Sequence, residues 1–132
     1  MNHQILQPEG WPRPKGYSNG IAAQGRQIFT AGVVGWDTDE EFSSDNIIDQ
    51  FRQTLLNTVA ILKEAGATPP DIVRMTCYVT DKRDYLGHAG EIGAVWREVL
   101  GKVFPAMAVV QVVALMEDAA KVEIETTAVV AQ

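Results

Sequence analysis

The chain has a single cysteine, Cys77, and only two histidines, His3 and His88. One cysteine excludes an internal disulfide, so a secreted domain held together by disulfides is not expected. The histidines show no HxxxH spacing and the cysteine has no CxxC partner, so the sequence offers no zinc site. A P-loop and a GxGxxG motif after a strand are also missing, and we expect neither a metal nor a cofactor.

Basic residues are scarce as well. Eleven Lys and Arg stand against 17 Asp and Glu, which gives a formal net charge of −6. Nucleic-acid grooves and anionic membrane surfaces attract clustered positive charge, so we expect neither partner. The longest apolar stretch, residues 106–116, is interrupted by Gln111 and is shorter than the roughly 18 residues of a membrane span. Because the N-terminus also has no apolar signal-peptide core, the sequence predicts a soluble, cytoplasmic protein.

What the sequence does contain is an ordinary globular composition, with 132 residues of which 46% are hydrophobic. This length fits one domain spanning residues 1–132. The periodicity of its apolar residues predicts the element order ββαβαββ, an α+β fold with one mixed sheet and two helices on a single face. The predicted elements are a hairpin over 17–34 turning at Gly25, a helix capped by Ser44 or Asp45 and ending at Gly66, a strand over 71–80, a helix over 84–100, and strands over 107–115 and 121–130.

The strand over 107–115 is apolar on both faces, with Val109 and Val113 on one face and Val110 and Val112 on the other. Helices in this arrangement cover only one face of the sheet. The second apolar face therefore predicts burial against another copy of the chain.

The last strand differs, because Glu123 and Glu125 share one face while Val122 and Ile124 share the other. Such a pair of carboxylates is either a solvated strand face or an acid–base site. A subunit boundary beside the strand favours the second interpretation, since a carboxylate removed from water is a better general acid or base.

Three other features have simpler interpretations. Cys77, in mid-strand, is expected to be a small core residue rather than a nucleophile, and His88 a residue of the helix surface or of an interface. Gly87, Gly90 and Gly93 form a GxxGxxG pattern inside the predicted second helix. Because glycine weakens a helix, we expect close packing of this helix against the sheet or a neighbour.

Five segments taken together resemble the YjgF/RidA family: GYSNGI, IFTAGVVGWD, LKEAGATPPDIVRMTCYVTD, FPAMAVVQVVAL and KVEIETTAVV. The resemblance covers about residues 16–130. It implies a chorismate mutase-like fold, a homotrimer with clefts between adjacent subunits, and hydrolysis of reactive enamines or imines without a cofactor.

The resemblance also implies site residues. Glu123 matches the carboxylate that handles water, Tyr17 the tyrosine that closes the cleft, and Gly32 a glycine whose backbone contacts the ligand. Backbone groups near Val109 are expected to contribute to binding.

Three positions depart from the pattern of the amino-acid imine hydrolases. Met107 stands where they carry an Arg that binds the substrate carboxylate, Ala89 where many carry Asn, and Ala31 where they often have Ser. A cleft walled by Met107, Ala31 and Trp36 would be more apolar. Losing the forked guanidinium would weaken carboxylate binding, because that contact is bidentate.

Two functions remain open. The first is a divergent hydrolase or deaminase for an enamine or imine other than the usual 2-imino acids, with Arg13, Lys15 or Arg26 as a replacement cation. The second is a non-catalytic trimeric module that binds a small molecule or regulates a partner. Retention of Glu123 favours the enzyme, and Met107 favours the binder. Ribonuclease activity, attached to some relatives, fits the acidic charge balance least.

Overall fold

The computed structural model describes residues 3–131. These residues form ten principal elements and a short 3-10 helix over Pro69–Asp71. The elements are β1 (Gln4–Leu6), β2 (Gly20–Ala22), β3 (Arg26–Phe29), β4 (Val33–Val34), α1 (Ile47–Glu64), β5 (Ile72–Val79), α2 (Lys82–Gly87), α3 (Ala89–Val99), β6 (Ala106–Gln111) and β7 (Val122–Val130). No helix in this part of the chain has both the length and the hydropathy to cross a membrane.

The main sheet has five strands in the order β3-β7-β5-β6, with β4 also pairing with β7. β5 and β6 are parallel, whereas β3, β4 and β5 all pair antiparallel with β7. The predicted mixed sheet is therefore confirmed. Because β5 lies between them, β6 and β7 are not neighbours, although they follow each other along the chain.

The helix α1 begins one residue later than a cap at Asp45 predicts, and two later than a cap at Ser44 predicts. Asn46 is the N-cap, and its Oδ1 accepts from the backbone N–H groups of Ile48 at 2.8 Å and Asp49 at 3.3 Å. Ser44 supports this cap, since its hydroxyl oxygen accepts from the Asn46 N–H at 3.0 Å. At the other end Gly66 follows the C-cap with φ of 75°, as the prediction of a terminal glycine requires.

The predicted hairpin over 17–34 is wrong in its pairing. β2 pairs with β1, and β3 pairs with β7 through Ile28 opposite Ala128. Gly25 does turn the chain, with φ of 150°, but the strand after the turn, β3, lies beside β7. The position requires glycine, because a Cβ on Gly25 would strike the Val130 carbonyl. β3 pairs with β7 rather than with β2 because this pairing packs Ile28 against the core.

The predicted second helix is two helices, α2 and α3, with a break at His88, whose ψ of 22° interrupts the helix. His88 Nδ1 lies 2.8 Å from the Asp84 carbonyl, and this hydrogen bond raises the pKa of His88. The close packing against the sheet expected at the glycines is absent within residues 3–131, because a Cβ on Gly87 or Gly90 would meet open space; packing against a neighbour stays a prediction. Glycines on both sides of His88 instead weaken the helix where it breaks.

The core lies between the helices and one face of the sheet. Phe51, Leu55 and Leu62 of α1 are fully buried against β5 and β7. Cys77 is part of this core, as predicted, and burial raises the pKa of its thiol to about 12. The thiol therefore stays protonated and unreactive at neutral pH.

The opposite face of the sheet is less apolar than predicted. It carries Arg74, Thr76 and Tyr78 from β5, beside Glu123 and Glu125 from β7. Its exposed apolar side chains include Phe29 on β3, opposite Thr127, and Val110 on β6, opposite Tyr78. Val109 points to the helix side, and Val113 and Met116 are exposed beyond the end of β6.

The strand predicted to reach residue 115 ends at Gln111. Its partner β5 ends at Val79, whose carbonyl accepts from the Val112 N–H at 2.9 Å. No strand of the described chain remains to pair with residues 113–115, and Val113 is fully exposed there. In the single chain, the apolar residues of this segment are therefore exposed on the surface and are not part of a strand.

Gln50 joins the start of α1 to the segment before β7. Its side chain is 1% exposed and makes three bonds to backbone groups: Nε2 donates to the carbonyls of Ser44 and Ala119, and Oε1 accepts from the Lys121 N–H. Truncating it breaks three part-buried hydrogen bonds to backbone groups.

We expect Gln50→Ala to lower the free energy of unfolding by about 3 kcal/mol, measured by urea denaturation at fixed protein concentration. Gln53→Ala is the control, because Gln53 bonds only to the neighbouring Asn57 side chain. Equal losses for the two variants would contradict the role given to Gln50.

Candidate functional site: a cavity and a carboxylate on opposite faces of the sheet

Four of the predicted site residues meet in one cavity of about 440 Å³ on the helix side of the sheet. These residues are Tyr17, Ala89, Met107 and Val109. They come from three parts of the chain that are far apart in sequence, namely the loop before β2, the first turn of α3 and β6, which contributes two residues. The structure therefore brings together half of the predicted site.

The register of β6 aims Met107 and Val109 into this cavity. Met107 lies opposite Met75 and Val109 opposite Cys77, and both β5 residues are buried under the helices. Cross-strand partners share a face, so the two β6 side chains also point to the helix side.

Tyr17 is held beside β6 by the residue that follows it. The Ser18 N–H donates to the Pro105 carbonyl at 3.0 Å, and the Ser18 hydroxyl donates to the Phe104 carbonyl at 2.5 Å. These bonds fix the loop before β2 against the start of β6. They place the exposed ring of Tyr17 at the rim of the cavity.

Much of the cavity wall was not among the predicted site residues. Tyr85, Ile92 and Trp96 line it from α2 and α3, and Phe104 lines it from the loop before β6. The three helix residues share an apolar stripe, which by itself indicates core. Trp96 is fixed by the bond from its Nε1 to the Val103 carbonyl at 2.9 Å. Burial raises the pKa of Tyr85 to about 12, so its phenol remains a proton donor at neutral pH.

The charged residues that line the cavity are all positive: Lys15, Arg97 and Lys102. In residues 3–131 the ion pairs involve only Arg52 and His88 as cations, so none of these three is neutralised by an ion pair. The cavity therefore combines apolar walls with free positive charge, in a protein whose net charge is −6.

Glu123 lies on the other face of the sheet. It is opposite Tyr78 on β5 and Val34 on β4. Its carboxylate rests against the backbone of Gly32, where a Cβ would lie 2.8 Å from the Glu123 Cδ. Ala31 precedes this glycine, and the loop is fixed by Thr30, whose hydroxyl donates to the Ala31 carbonyl and accepts from the Thr126 N–H.

The two carboxylates of β7, Glu123 and Glu125, differ in their hydrogen bonding. Tyr78 donates its phenol proton to Glu125 Oε1 at 2.7 Å, and this bond is the main cause that raises the pKa of Tyr78. Glu123 receives no hydrogen bond from any side chain of residues 3–131. Glu125 is therefore engaged with a partner, whereas Glu123 is free to bind a water or a substrate.

The remaining predicted residue, Trp36, belongs neither to the cavity nor to the contact between Glu123 and Gly32. Its ring packs on Phe42 with 5.8 Å between centroids, and its carbonyl accepts from Asn57 Nδ2 at 2.8 Å. Within the described chain no cluster of three or more His, Cys, Asp or Glu could hold a metal ion.

Two glycines of the loop around β4 give contrasting tests of the site. A Cβ on Gly32 would strike the mobile end of the Glu123 side chain, whereas a Cβ on Gly35 would lie 2.8 Å from the Gln50 Cα, in the rigid backbone of α1. We expect Gly32→Ala to displace the carboxylate with little effect on stability. We expect Gly35→Ala to cost about 2 kcal/mol of unfolding free energy. Urea denaturation of both variants measures this difference, and equal destabilisation would show that Gly32 is a packing residue like Gly35.

Comparison with known proteins identifies the family of this chain. Residues 12–130 match the family model described as Endoribonuclease L-PSP. The chain belongs to this family, the YjgF/RidA family. A RutC family protein of Pyrococcus horikoshii is 35% identical over 127 residues, which covers 95% of this chain and 96% of the relative. The resemblance found in the sequence is thereby confirmed.

Solved YjgF/RidA structures agree with the fold. A Rid-family protein of unknown function from Yersinia pestis superposes with a TM-score of 0.83 at 31% identity, covering 98% of this chain and all of the other. Together with the mixed sheet and its helices, this likeness fits the chorismate mutase-like α+β fold.

Some similar proteins of the YjgF/RidA family have a named activity. The 2-iminobutanoate/2-iminopropanoate deaminase of Salmonella typhimurium is 33% identical over 105 residues, which covers 80% of each chain. Membership and this relative together indicate a family of imine and enamine deaminases.

Proposed function

We propose that the chain is a divergent RidA-like hydrolase that deaminates a reactive enamine or imine, without a cofactor, at a cleft between subunits of a homotrimer. The observation that carries the proposal is the Glu123 carboxylate, which has no side-chain partner among residues 3–131 and rests against Gly32. A carboxylate in this state can take a proton from a water molecule.

The positions of the Met107 cavity and of Glu123 support a cleft between subunits. Met107 and its cavity face the helices, while Glu123 faces away from them. A single chain cannot bring both to one substrate, but two neighbouring copies can. The exposed apolar side chains of β6 and of the segment after it, such as Val110 and Val113, offer surface for that contact.

The reaction needs only proton transfers and a water molecule. A water attacks the carbon of the protonated C=N bond while Glu123 accepts one of its protons, which gives a neutral carbinolamine. The protonated Glu123 then passes this proton to the nitrogen, and the C–N bond breaks as Glu123 takes the hydroxyl proton. The products are a carbonyl compound and ammonia, which leaves as ammonium after taking that last proton from Glu123. Tyr17 orients the substrate at the cavity rim.

The substrate differs from the usual 2-imino acids because of Met107. The resemblance places an Arg here in amino-acid imine hydrolases, and Met supplies no donor for the substrate carboxylate. Ala89 and Met107 widen the apolar wall instead. The cavity therefore favours a substrate with a large apolar group.

A non-catalytic small-molecule-binding or regulatory trimer is the second candidate. The apolar cavity of about 440 Å³ favours it, because such a cavity suits ligand capture without chemistry.

An imine-hydrolysis assay on the wild-type protein tests the proposal. An amino-acid oxidase generates 2-imino acids from alanine, leucine and phenylalanine, an amine oxidase generates imines that lack the carboxylate, and semicarbazide traps what survives. We expect faster imine loss for large apolar groups than for the alanine product. The Salmonella deaminase is the positive control. No acceleration across the panel, with the control active, would favour the binding module.

A further inference from the structure

The charge of the cavity lining points to the chemistry of its ligand. Lys15, Arg97 and Lys102 line the cavity, and no Asp or Glu lines it. The protein as a whole has six more acidic than basic residues, so an all-positive lining runs against its general composition. A cationic ligand would be repelled here, and an anionic one attracted.

The cations are held where a ligand can reach them. All three side chains are exposed, so their charges lie at the rim, whereas Phe51 and Ile92 on the inner wall are buried. Arg97 lies along α3, with its Nη1 3.6 Å from the position of a Cβ on Gly93, another lining residue. The guanidinium therefore lies in van der Waals range of this position on the cavity wall.

The cavity is also long. Ala89 and Arg97 are eight residues apart on α3, which corresponds to about 12 Å along the helix axis. Ala89 is near one end of the wall and Arg97 near the other. An anion held by Arg97 is therefore separated from Ala89 by an apolar stretch that includes Ile92 and Trp96.

We propose that this cavity binds an elongated amphipathic anion, with its apolar body against Ile92, Trp96 and Met107 and its anionic group at Lys15, Arg97 and Lys102. If the proposed deamination is correct, the substrate carries its anionic group at the far end from the C=N carbon. This assignment adds a substrate class to the proposed function, and the binding of the anion itself does not depend on turnover.

Calorimetric titration with three probes of equal length tests the assignment: hexanoate, hexanamide and hexylammonium. We expect hexanoate to bind about tenfold more tightly than hexanamide, because it adds charge-assisted contacts. Hexylammonium should bind more weakly than both, and acetate, which lacks the apolar body, should bind more weakly than hexanoate. Raising the salt concentration should reduce the preference for hexanoate, since the cations are exposed.

Substitution of the cations locates the site. In Lys15→Met/Arg97→Met/Lys102→Met the preference for hexanoate over hexanamide should fall to about twofold or less, with hexanamide binding retained. Lys63→Met is the matched control, because Lys63 is an exposed cation in the last turn of α1, away from the cavity.

Two results would overturn the assignment: equal binding of hexanoate and hexanamide to the wild-type protein, or a preference that survives in the triple variant. The wild-type comparison decides the matter even if the triple variant does not fold. Hexanoate preference in a protein that hydrolyses no imine would leave the anion site in place and reject the enzyme. Imine hydrolysis by a protein that shows no preference for hexanoate would support the enzyme and reject the anion site.

Discussion

Replacing Glu123 with Gln lowers the rate of imine hydrolysis by about a hundredfold or more, if Glu123 is the group that accepts the proton of the attacking water. The amide keeps the shape of the side chain and its contact with Gly32 but cannot take a proton. The loss should appear in kcat, because proton transfer occurs after the substrate is bound. Imine loss is measured by semicarbazide trapping, with the best imine of the panel.

Glu125→Gln is the matched control for this variant. Glu125 lies on the same strand and the same face, but its carboxylate is engaged by the Tyr78 hydroxyl. We expect its turnover to remain within about threefold of the wild-type rate, since only a partly exposed hydrogen bond changes. Unchanged turnover in Glu123→Gln, or equal losses in both variants, would remove Glu123 from the mechanism.

Replacing Met107 with Arg should increase activity toward imines that carry a carboxylate next to the C=N carbon. The side chain at this position enters the cavity beside Val109 and Ala89, so a guanidinium there can form two hydrogen bonds to the carboxylate. Such contacts are worth about 1.5–3 kcal/mol, which corresponds to a rise of about tenfold to a hundredfold in kcat/KM. The oxidase assay with alanine and leucine measures it.

Met107→Lys and Met107→Leu separate charge from geometry. Lys supplies a point charge without the fork, so its gain should be smaller, and Leu should give none. No gain with Arg, in a protein that remains folded by circular dichroism, would mean that Ala89 and Ala31 have changed the site beyond what one residue restores. An equal gain with Lys would show that charge alone is limiting.

The helix α1 was the most predictable part of the fold, whereas the break at His88 between α2 and α3 was not predicted. The stripe of Phe51, Leu55 and Leu62 repeats at helical spacing, and it forms the buried face of α1. Its end at Gly66 was also predictable, because the chain needs positive φ there. The cap at Asn46 was missed because Ser44, Asp45 and Asn46 are all good capping residues, and only the geometry distinguishes them.

Strand pairing was much less predictable. The alternation of a strand fixes which residues share a face but not which strand lies beside it. β2 and β3 follow each other in the sequence, which suggested a hairpin. β3 instead pairs with β7, where Ile28 lies opposite Ala128 and packs against the core. β1 has three exposed residues and no apolar pattern, so no signal predicted it.

Several residues of the site could be predicted from the sequence, but their positions relative to one another could not. Tyr17, Ala89, Met107 and Val109 came from the family resemblance, and the structure brings them together. Tyr85 and Trp96 were missed because their helical spacing is also that of core residues. The separation of Glu123 from Met107 depends on the order β7-β5-β6 and on register, which no local pattern encodes.

The central claim is that the cavity of one chain and the Glu123 of another form one active site. Subunit complementation tests it most directly. Glu123→Gln removes the carboxylate, and Ala89→Trp fills the cavity, so each variant alone should be inactive. Refolding an equal mixture should restore about a quarter of the wild-type turnover, because about that share of interfaces unites an intact cavity with an intact Glu123. Mass spectrometry of the intact oligomers verifies the mixing. Mixed oligomers that stay inactive, while wild-type protein refolded in the same way is active, would contradict the shared site.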